Sequence, residues 1–167
     1  MSAIKSNTDF FMRKPAMTAP AIHSHRGSLT TAVQTAVATI DDAEVVLPPA
    51  REMSIADAKR LLALLVWCYA NELYSSAEIH VRLRRAGTTE LWEHSEPGLG
   101  DICRFRAENR LALERCLKMA LHFLAEQKVA AGVVTKVNQA AIAAEASRRL
   151  ITSIFIDSIE APRPSLA

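Results

Sequence analysis

The chain has 167 residues, half of them hydrophobic and 5% aromatic, and its formal net charge is +2. This length allows one domain of ordinary size with a tail, and the dominance of Ala and Leu over β-branched and aromatic residues favours helices. Because strong nucleic-acid binders have a marked basic excess, the net charge alone does not identify one, and such a function depends on where the charges lie.

Residues 1–50 are predicted to form a mostly disordered tail. They are rich in Ser, Thr, Ala and Pro and show little apolar periodicity, a composition that buries too little apolar surface to fold. Residues 29–40 have only a weak helical pattern, because Thr and Val lose side-chain freedom in a helix. Pro48 and Pro49 mark the boundary with a helical domain at residues 51–160, and residues 161–167 form a second tail.

The helical domain is predicted to be all-α, a compact bundle of four to five helices. Apolar residues recur at helical spacing from Met53 to Asn71 after Ser54 as N-cap, and this apolar segment is the expected central helix. Ser75, with an acidic residue three positions later, has the pattern of a capping box and predicts a second helix at residues 76–86. Gly87 is expected to end that helix in the left-handed conformation.

The second half of the domain is predicted to hold two more helices. A helical turn at residues 88–93 and a loop at residues 94–100 come first. Asp101 is then expected to cap a long helix at residues 102–130, which Gly132 closes. Its predicted core stripe includes Ile102 and Phe105. A last helix is predicted over about Val137 to Ile159, with Ile142, Ala146, Leu150, Ile154 and Ile156 as its core positions.

Six arginines lie at the end of the second helix and near the start of the long helix. They are Arg82, Arg84, Arg85, Arg104, Arg106 and Arg110. A helix, a loop and a helix with arginines in its first turns are typical of a helix-turn-helix, whose second helix enters the major groove of DNA. The alternative interpretation is an ordinary solvated surface, and cations that end a helix also suit the helix dipole.

No catalytic or metal-binding pattern is present in the sequence. The five histidines are His23, His25, His80, His94 and His122, and none of their spacings is typical of metal ligands. Gly98 and Gly100 precede a helix start that could bind an anion, but Asp101 places a negative charge there. We therefore predict no catalytic residue, no metal, no cofactor and no enzymatic activity.

Three cysteines bear on the cellular location. Cys68, Cys103 and Cys116 lie among apolar neighbours, which indicates buried reduced thiols and a reducing cytoplasm, with a disulfide or metal site as the alternative. The sequence has no run of about 18 apolar residues and no signal-peptide core, so we predict no membrane partner.

Three segments form an ordered set: residues 61–70 (LLALLVWCYA), residues 73–79 (LYSSAEI) and residues 101–106 (DICRFR), the last followed by Asn109. Together they resemble the N-terminal helical region of DDE-type insertion-sequence transposases. In that family an apolar helix ends in Tyr-Ala, a G-x-x-S-S-x-x-I step follows, and a later helix carries T-I-x-R-F-R. The region binds transposon-end DNA, so the resemblance implies that Arg104, Arg106 and Arg110 face DNA.

Two departures from the family pattern limit what the resemblance implies. The family commonly has Ser or Thr where this chain has Asp101, and a carboxylate faces phosphate unfavourably. An RNase H-like domain with three metal-binding carboxylates follows in the family, whereas residues 129–167 are predicted to hold one helix and a tail. The expected function is therefore DNA binding without cleavage, in a regulator of transposition or a domesticated remnant.

Two other functions stay open at this point. A helical protein–protein interaction module, as a homodimer, is favoured by the broad Ala- and Ile-rich surface of residues 140–156, because such surfaces often pack on a partner. An enzyme with an unrecognised site is the third possibility. DNA binding and dimerisation are compatible, since helix-turn-helix proteins often dimerise.

Overall fold

The computed structural model describes residues 27–48 and 52–160. In these two ranges the chain forms six α-helices, two short 3-10 turns and no strand. The helices are α1 (Leu29–Ala38), α2 (Ile55–Ala70), α3 (Ser76–Ala86), α4 (Leu99–Glu108), α5 (Arg110–Ala130) and α6 (Gln139–Glu160). The predicted all-α bundle is confirmed, with six α-helices instead of four to five. The predicted tails at residues 1–26 and 161–167 lie outside the described residues.

The helix α2 is the central element of the bundle, as predicted. Its residues Leu61, Leu65 and Val66 are fully buried, and α1, α5 and α6 all pack on it. The side chain of Ser54 accepts a hydrogen bond from the amide of Asp57 (3.0 Å), which satisfies one of the free N–H groups at the helix start. The apolar pattern and the cap therefore agree in placing this helix at the core.

The helix α1 belongs to the same core, and this corrects the prediction of a mostly disordered tail over residues 27–48. Ser28 caps α1 by accepting a hydrogen bond from the amide of Thr31 (3.2 Å). Val33 and Ala36 are fully buried where α1 packs against α5 and α2. The prediction fails because the buried residues of α1 are Val and Ala, which give a weak helical pattern when the sequence is taken in isolation.

Asn109 divides the predicted long helix into α4 and α5. Its carboxamide oxygen accepts from the amide of Val46 (2.8 Å), and its Nδ2 donates to the carbonyl oxygens of Val46 (2.9 Å) and Phe105 (3.1 Å). The backbone of Asn109 leaves the helical region at φ −107° and ψ 27°. The interruption therefore ties the segment that follows α1 to the junction of α4 and α5.

The start of α4 differs from the prediction in one respect. The helix begins at Leu99, and Gly98 is its N-cap. Asp101 is the third residue of the helix, where its carboxylate accepts the amide of Gly98 (2.8 Å). A carboxylate in the first turn stabilises the positive end of the helix dipole. Asp101 thus supports the helix start from the first turn and not from the N-cap position.

The helices α5 and α6 run antiparallel. Gln139 Nε2 lies 2.9 Å from His122 Nδ1, and further along Ser147 Oγ donates to Glu114 (3.0 Å). The predicted core positions Ile142, Ala146 and Leu150 are buried, whereas Ile154 is exposed and Ile156 is only half-buried. The second half of α6 therefore turns part of its apolar surface outwards. Among the described helices, none has the length and apolar character needed to cross a membrane.

Candidate nucleic-acid interface

The helices α3 and α4 pack against each other across the loop that joins them. Ile79 and Leu83 of α3 and Ile102 and Phe105 of α4 are buried. Gly87 ends α3 at φ 64°, in the left-handed region that glycine adopts without strain. The predicted helix–loop–helix outline is present, and the outer faces of both helices are left for polar side chains.

Five of the six predicted DNA-binding arginines lie at the surface. They are Arg82, Arg84 and Arg85 on α3, Arg104 on α4 and Arg110 at the start of α5. The carboxylate of Glu78 pairs with Arg82 at 2.6 Å, so only the Ser75 half of the predicted capping box forms, through the amide of Glu78 (3.2 Å). The other four of these five arginines, Arg84, Arg85, Arg104 and Arg110, have no such ion pair among the described residues.

Arg106 is buried, and this corrects the prediction that it faces DNA. Its side chain is 6% exposed, and its Nη1 donates to Ser76 Oγ (3.1 Å), to the carbonyl of Ser153 (3.3 Å) and to the carboxylate of Asp157. Position 106 shares the inward face of α4 with Phe105, and the interruption at Asn109 then gives α5 a different face.

The ion pair of Arg106 with Asp157 joins α4 and α6 and also fixes the start of α3. Asp157 Oδ1 accepts the amide of Ser76 (2.9 Å), and Oδ2 accepts from Arg106 and from Cys103 Sγ (3.4 Å). Burial raises the pKa of Asp157, but hydrogen bonds from Ser76 and Arg106 outweigh burial and hold the pKa below its ordinary value. The carboxylate is therefore ionised at neutral pH and compensates the positive end of α3.

A second buried arginine fastens α6 to the end of α2. Arg149 Nη1 donates to the carbonyl oxygens of Tyr69 (2.8 Å) and Ala70 (2.9 Å), which end α2. Its Nε binds Glu145 (2.7 Å) and its Nη2 binds Glu72 (3.1 Å). A cation at the carboxyl end of a helix compensates the helix dipole and satisfies carbonyl groups that lack an intrahelical donor.

The turn between α2 and α3 is thus held by α6 from both sides. Arg149 caps the end of α2, Asp157 binds the first amide of α3, and Ser75 Oγ donates to Glu160 (2.6 Å). Carboxylates of α6 therefore occupy the amino-terminal end of α3. The exposed arginines outside this turn lie on the carboxyl-terminal half of α3, on the outer face of α4 beside exposed Glu108, and at the start of α5.

One group of possible metal ligands comes together outside this surface. Oxygens of Asp57 and Glu93 and a ring nitrogen of His94 lie close to one another. The buried carboxylate of Asp57, however, accepts the amide of Glu93 with both oxygens (3.0 and 3.1 Å) and binds Arg60 Nη1 (2.7 Å). These bonds fasten the loop after α3 onto α2, so the group has a structural role and we assign no metal to it.

The three cysteines are free thiols. Cys68 and Cys116 are buried as predicted, whereas Cys103 is half-buried. Burial raises the pKa of Cys68 to about 12 and that of Cys116 to about 11. Both thiols are therefore protonated at neutral pH and act as small apolar side chains in the core.

Comparisons of the chain with protein-family models, with curated proteins and with solved structures find no match. The three segments that resemble the transposase region lie in α2, across the turn into α3 and within α4. The resemblance stays a prediction that the sequence motifs alone carry.

Proposed function

We propose that the chain binds double-stranded DNA without cutting it, through the open arginine surface of α3, α4 and early α5. The observation that carries this proposal is the exposure of Arg84, Arg85, Arg104 and Arg110. Among the described residues none of the four lies within hydrogen-bond or ion-pair distance of a carboxylate, although Arg110 has a nearby acidic group, Glu114, whose pKa it helps to lower. Exposed guanidinium groups bind phosphate oxygens in a bidentate manner and retain their charge at any physiological pH.

The open arginine surface favours contacts to the phosphate backbone over reading of base edges. The first turn of α4, the second helix of the helix–loop–helix outline, carries the carboxylate of Asp101, and Arg106 is inside the bundle. Phosphate contacts position a protein on the duplex and make its affinity depend on salt, but they carry no sequence information. Binding to any duplex sequence is therefore the expected behaviour.

The resemblance to the transposase region supports the same function. The family's G-x-x-S-S-x-x-I pattern has glycine where this chain has Glu72. Glu72 has φ 63°, a left-handed conformation that glycine adopts far more readily than other residues. The backbone at Glu72 therefore has the conformation that the glycine of the family pattern favours. On this basis we propose that the chain is a regulator of transposition or a domesticated remnant. The free thiols support a cytoplasmic location.

Removal of two open arginines tests the site. We expect the double variant Arg84→Gln, Arg85→Gln to bind duplex DNA about tenfold more weakly at low salt and to lower the salt dependence by about two phosphate contacts. The matched control is Lys128→Gln, Lys136→Gln, which removes the same charge near the far end of α5 and in the connection after it; Lys128 lies roughly 27 Å along the helix from Arg110. Equal weakening in both double variants, measured by fluorescence anisotropy, contradicts the assignment of this surface.

We also propose a second function, self-association through the outer face of α6 as a helical interaction module. Ile151, Phe155 and Ile159 are 55%, 62% and 64% exposed on this helix. Clusters of exposed large apolar side chains mark protein interaction surfaces. Light scattering over a concentration series is expected to give the mass of two chains, and a single-chain mass at every concentration contradicts the proposal.

A further inference from the structure

The outer face of α6 has a sequence that is symmetric about Phe155. Ile151 and Ile159 stand four residues before and after it, and Thr152 and Ser158 stand three residues before and after it. Residues at these spacings lie on one side of a helix. We call these five residues the α6 stripe. Reading the stripe in either direction gives isoleucine, a small hydroxyl residue, phenylalanine, a small hydroxyl residue and isoleucine.

The polar members of the α6 stripe need no outside partner. Thr152 Oγ1 donates to the carbonyl of Arg148 (2.8 Å), and Ser158 Oγ donates to the carbonyl of Phe155 (2.7 Å). Residues 150–156 include no charged side chain. The stripe can therefore be covered by an apolar surface without leaving a buried hydroxyl donor unpaired, a cost that would oppose binding.

The apolar area is extended by the neighbouring helix. The bond between Glu114 and Ser147 fixes the register of α5 and α6, and three residues further on Leu111 lies level with Leu150. Leu111 is 84% exposed. At about 200 Å² for a fully exposed large side chain, the exposed large apolar residues here offer about 600 Å² per chain. They are Leu111, Ile151, Ile154, Phe155 and Ile159. A stable interface covers about 800 Å² per partner, so a rim of polar residues completes it.

The charge that precedes the α6 stripe selects an orientation. Arg148 is exposed and lies two helical turns before Phe155, on the same side of the helix and about 10 Å away. A parallel pair of α6 helices brings Arg148 of each chain, already paired with its own Glu145, against Arg148 of the other, which opposes association. An antiparallel pair places the two Arg148 side chains at opposite ends of the interface, and Glu160 stays bound to Ser75 (2.6 Å) on the inner side of α6.

We propose that a second copy of this chain covers the α6 stripe with its own, antiparallel, about a two-fold axis at Phe155. The two Phe155 rings meet on the axis, and Ile151 of each chain packs against Ile159 of the other. A two-fold interface requires such self-complementarity, because residue i meets j where j meets i. This inference rests on the proposed self-association and adds its geometry.

Disulfide trapping tests the geometry. An equal mixture of an Ile151→Cys chain and an Ile159→Cys chain of different mass is expected to form the mixed disulfide on mild oxidation. Neither variant alone is expected to cross-link with itself, whereas Phe155→Cys is expected to do so. Wild-type protein, with its three native thiols, is the control for background oxidation. Self-cross-linking of Ile151→Cys at the yield of the mixture overturns the antiparallel arrangement.

Light scattering separates a wrong geometry from absent self-association. Phe155→Glu places two like charges on the axis, and we expect it to raise the dimer dissociation constant about 100-fold or more. Val133→Glu changes an exposed valine (70%) in the α5–α6 connection and is expected to leave the dimer intact. If the wild-type protein is a monomer, the proposed self-association is wrong. If it is a dimer that Phe155→Glu does not weaken, or that does not form the mixed disulfide, self-association stands and only the antiparallel α6 interface is wrong.

Discussion

At the scale of single residues, two buried arginines determine how α6 is attached. Arg106 pairs with Asp157 inside the bundle, and Arg149 binds the carbonyl groups at the end of α2. A buried charge is tolerated only when it is paired and hydrogen-bonded, and removal of one partner leaves the other uncompensated. Both arginines therefore act in stability, and neither is available to phosphate.

Replacement of Arg106 is expected to destabilise the fold. Arg106→Ala leaves the buried carboxylate of Asp157 without a cation, held by Ser76 and the thiol of Cys103, and we expect a loss of about 3 kcal/mol in the free energy of unfolding. Arg82→Ala breaks a surface pair with Glu78 and is expected to cost less than about 1 kcal/mol. Urea unfolding followed by circular dichroism compares the two variants, and similar losses in both contradict the buried role.

Acid is expected to destabilise the fold through Glu145. Hydrogen bonds from Arg148 and Arg149 lower the pKa of Glu145 from 4.5 to about 2. Since the folded pKa lies below the unfolded one, the stabilisation is complete above about pH 4.5 and is lost as the pH falls towards 2. Thermal unfolding between pH 7 and pH 2 is expected to show a smaller fall in Tm for Glu145→Gln than for the wild type. Glu90→Gln, in the exposed loop, is the control, and the same fall in all three chains contradicts this role.

At the scale of elements, the locally coded features of the fold were predictable and the long-range ones were not. Ser54, Ser75 and Gly87 act on their own helix ends, so the bounds of α2 and α3 follow from neighbouring residues. Asn109 interrupts a helical pattern because its partner is Val46, 63 residues away. No local pattern marks such a bond, and the sequence therefore predicts one long helix where the structure has two.

The candidate interface also has a part that local sequence predicts and a part that depends on distant residues. Arginines on the outer faces of α3 and α4 are exposed because their inward neighbours at helical spacing are apolar. Arg106 was misplaced because its buried partner Asp157 lies on α6, 51 residues away. One signal was present, since position 106 is four residues after Ile102 and adjoins Phe105, on the inward side of α4. A charged residue on the inward side of a helix is as consistent with a buried ion pair as with an exposed side chain.

The inclusion of α1 in the core has a measurable consequence. Val33→Ala removes two methyl groups from a fully buried site, and we expect it to lower the free energy of unfolding by about 2 kcal/mol. Val134→Ala changes an exposed valine after α5 and is expected to have an effect of less than about 0.5 kcal/mol. If residues 27–48 were a disordered tail, the two variants would unfold at the same urea concentration.

At the scale of the whole molecule, α6 organises two surfaces. Its inner face fixes the turn between α2 and α3 through Arg149, Asp157 and Glu160, and this holds α3 in position to present Arg84 and Arg85. Its outer face carries the apolar stripe about Phe155. A pair of chains joined by that stripe carries two arginine surfaces, and linkage of two binding surfaces raises the overall affinity for one long duplex.

The proposed contact of four open arginines with the DNA backbone can be measured in solution. The experiment is fluorescence anisotropy of a labelled random-sequence duplex, titrated with the wild-type chain at two salt concentrations. We expect saturable binding whose affinity falls with a log–log salt slope of about −4 per chain, because each arginine releases the counterion of one phosphate. No binding at low salt, or an affinity that does not change with salt, would contradict binding through these arginines.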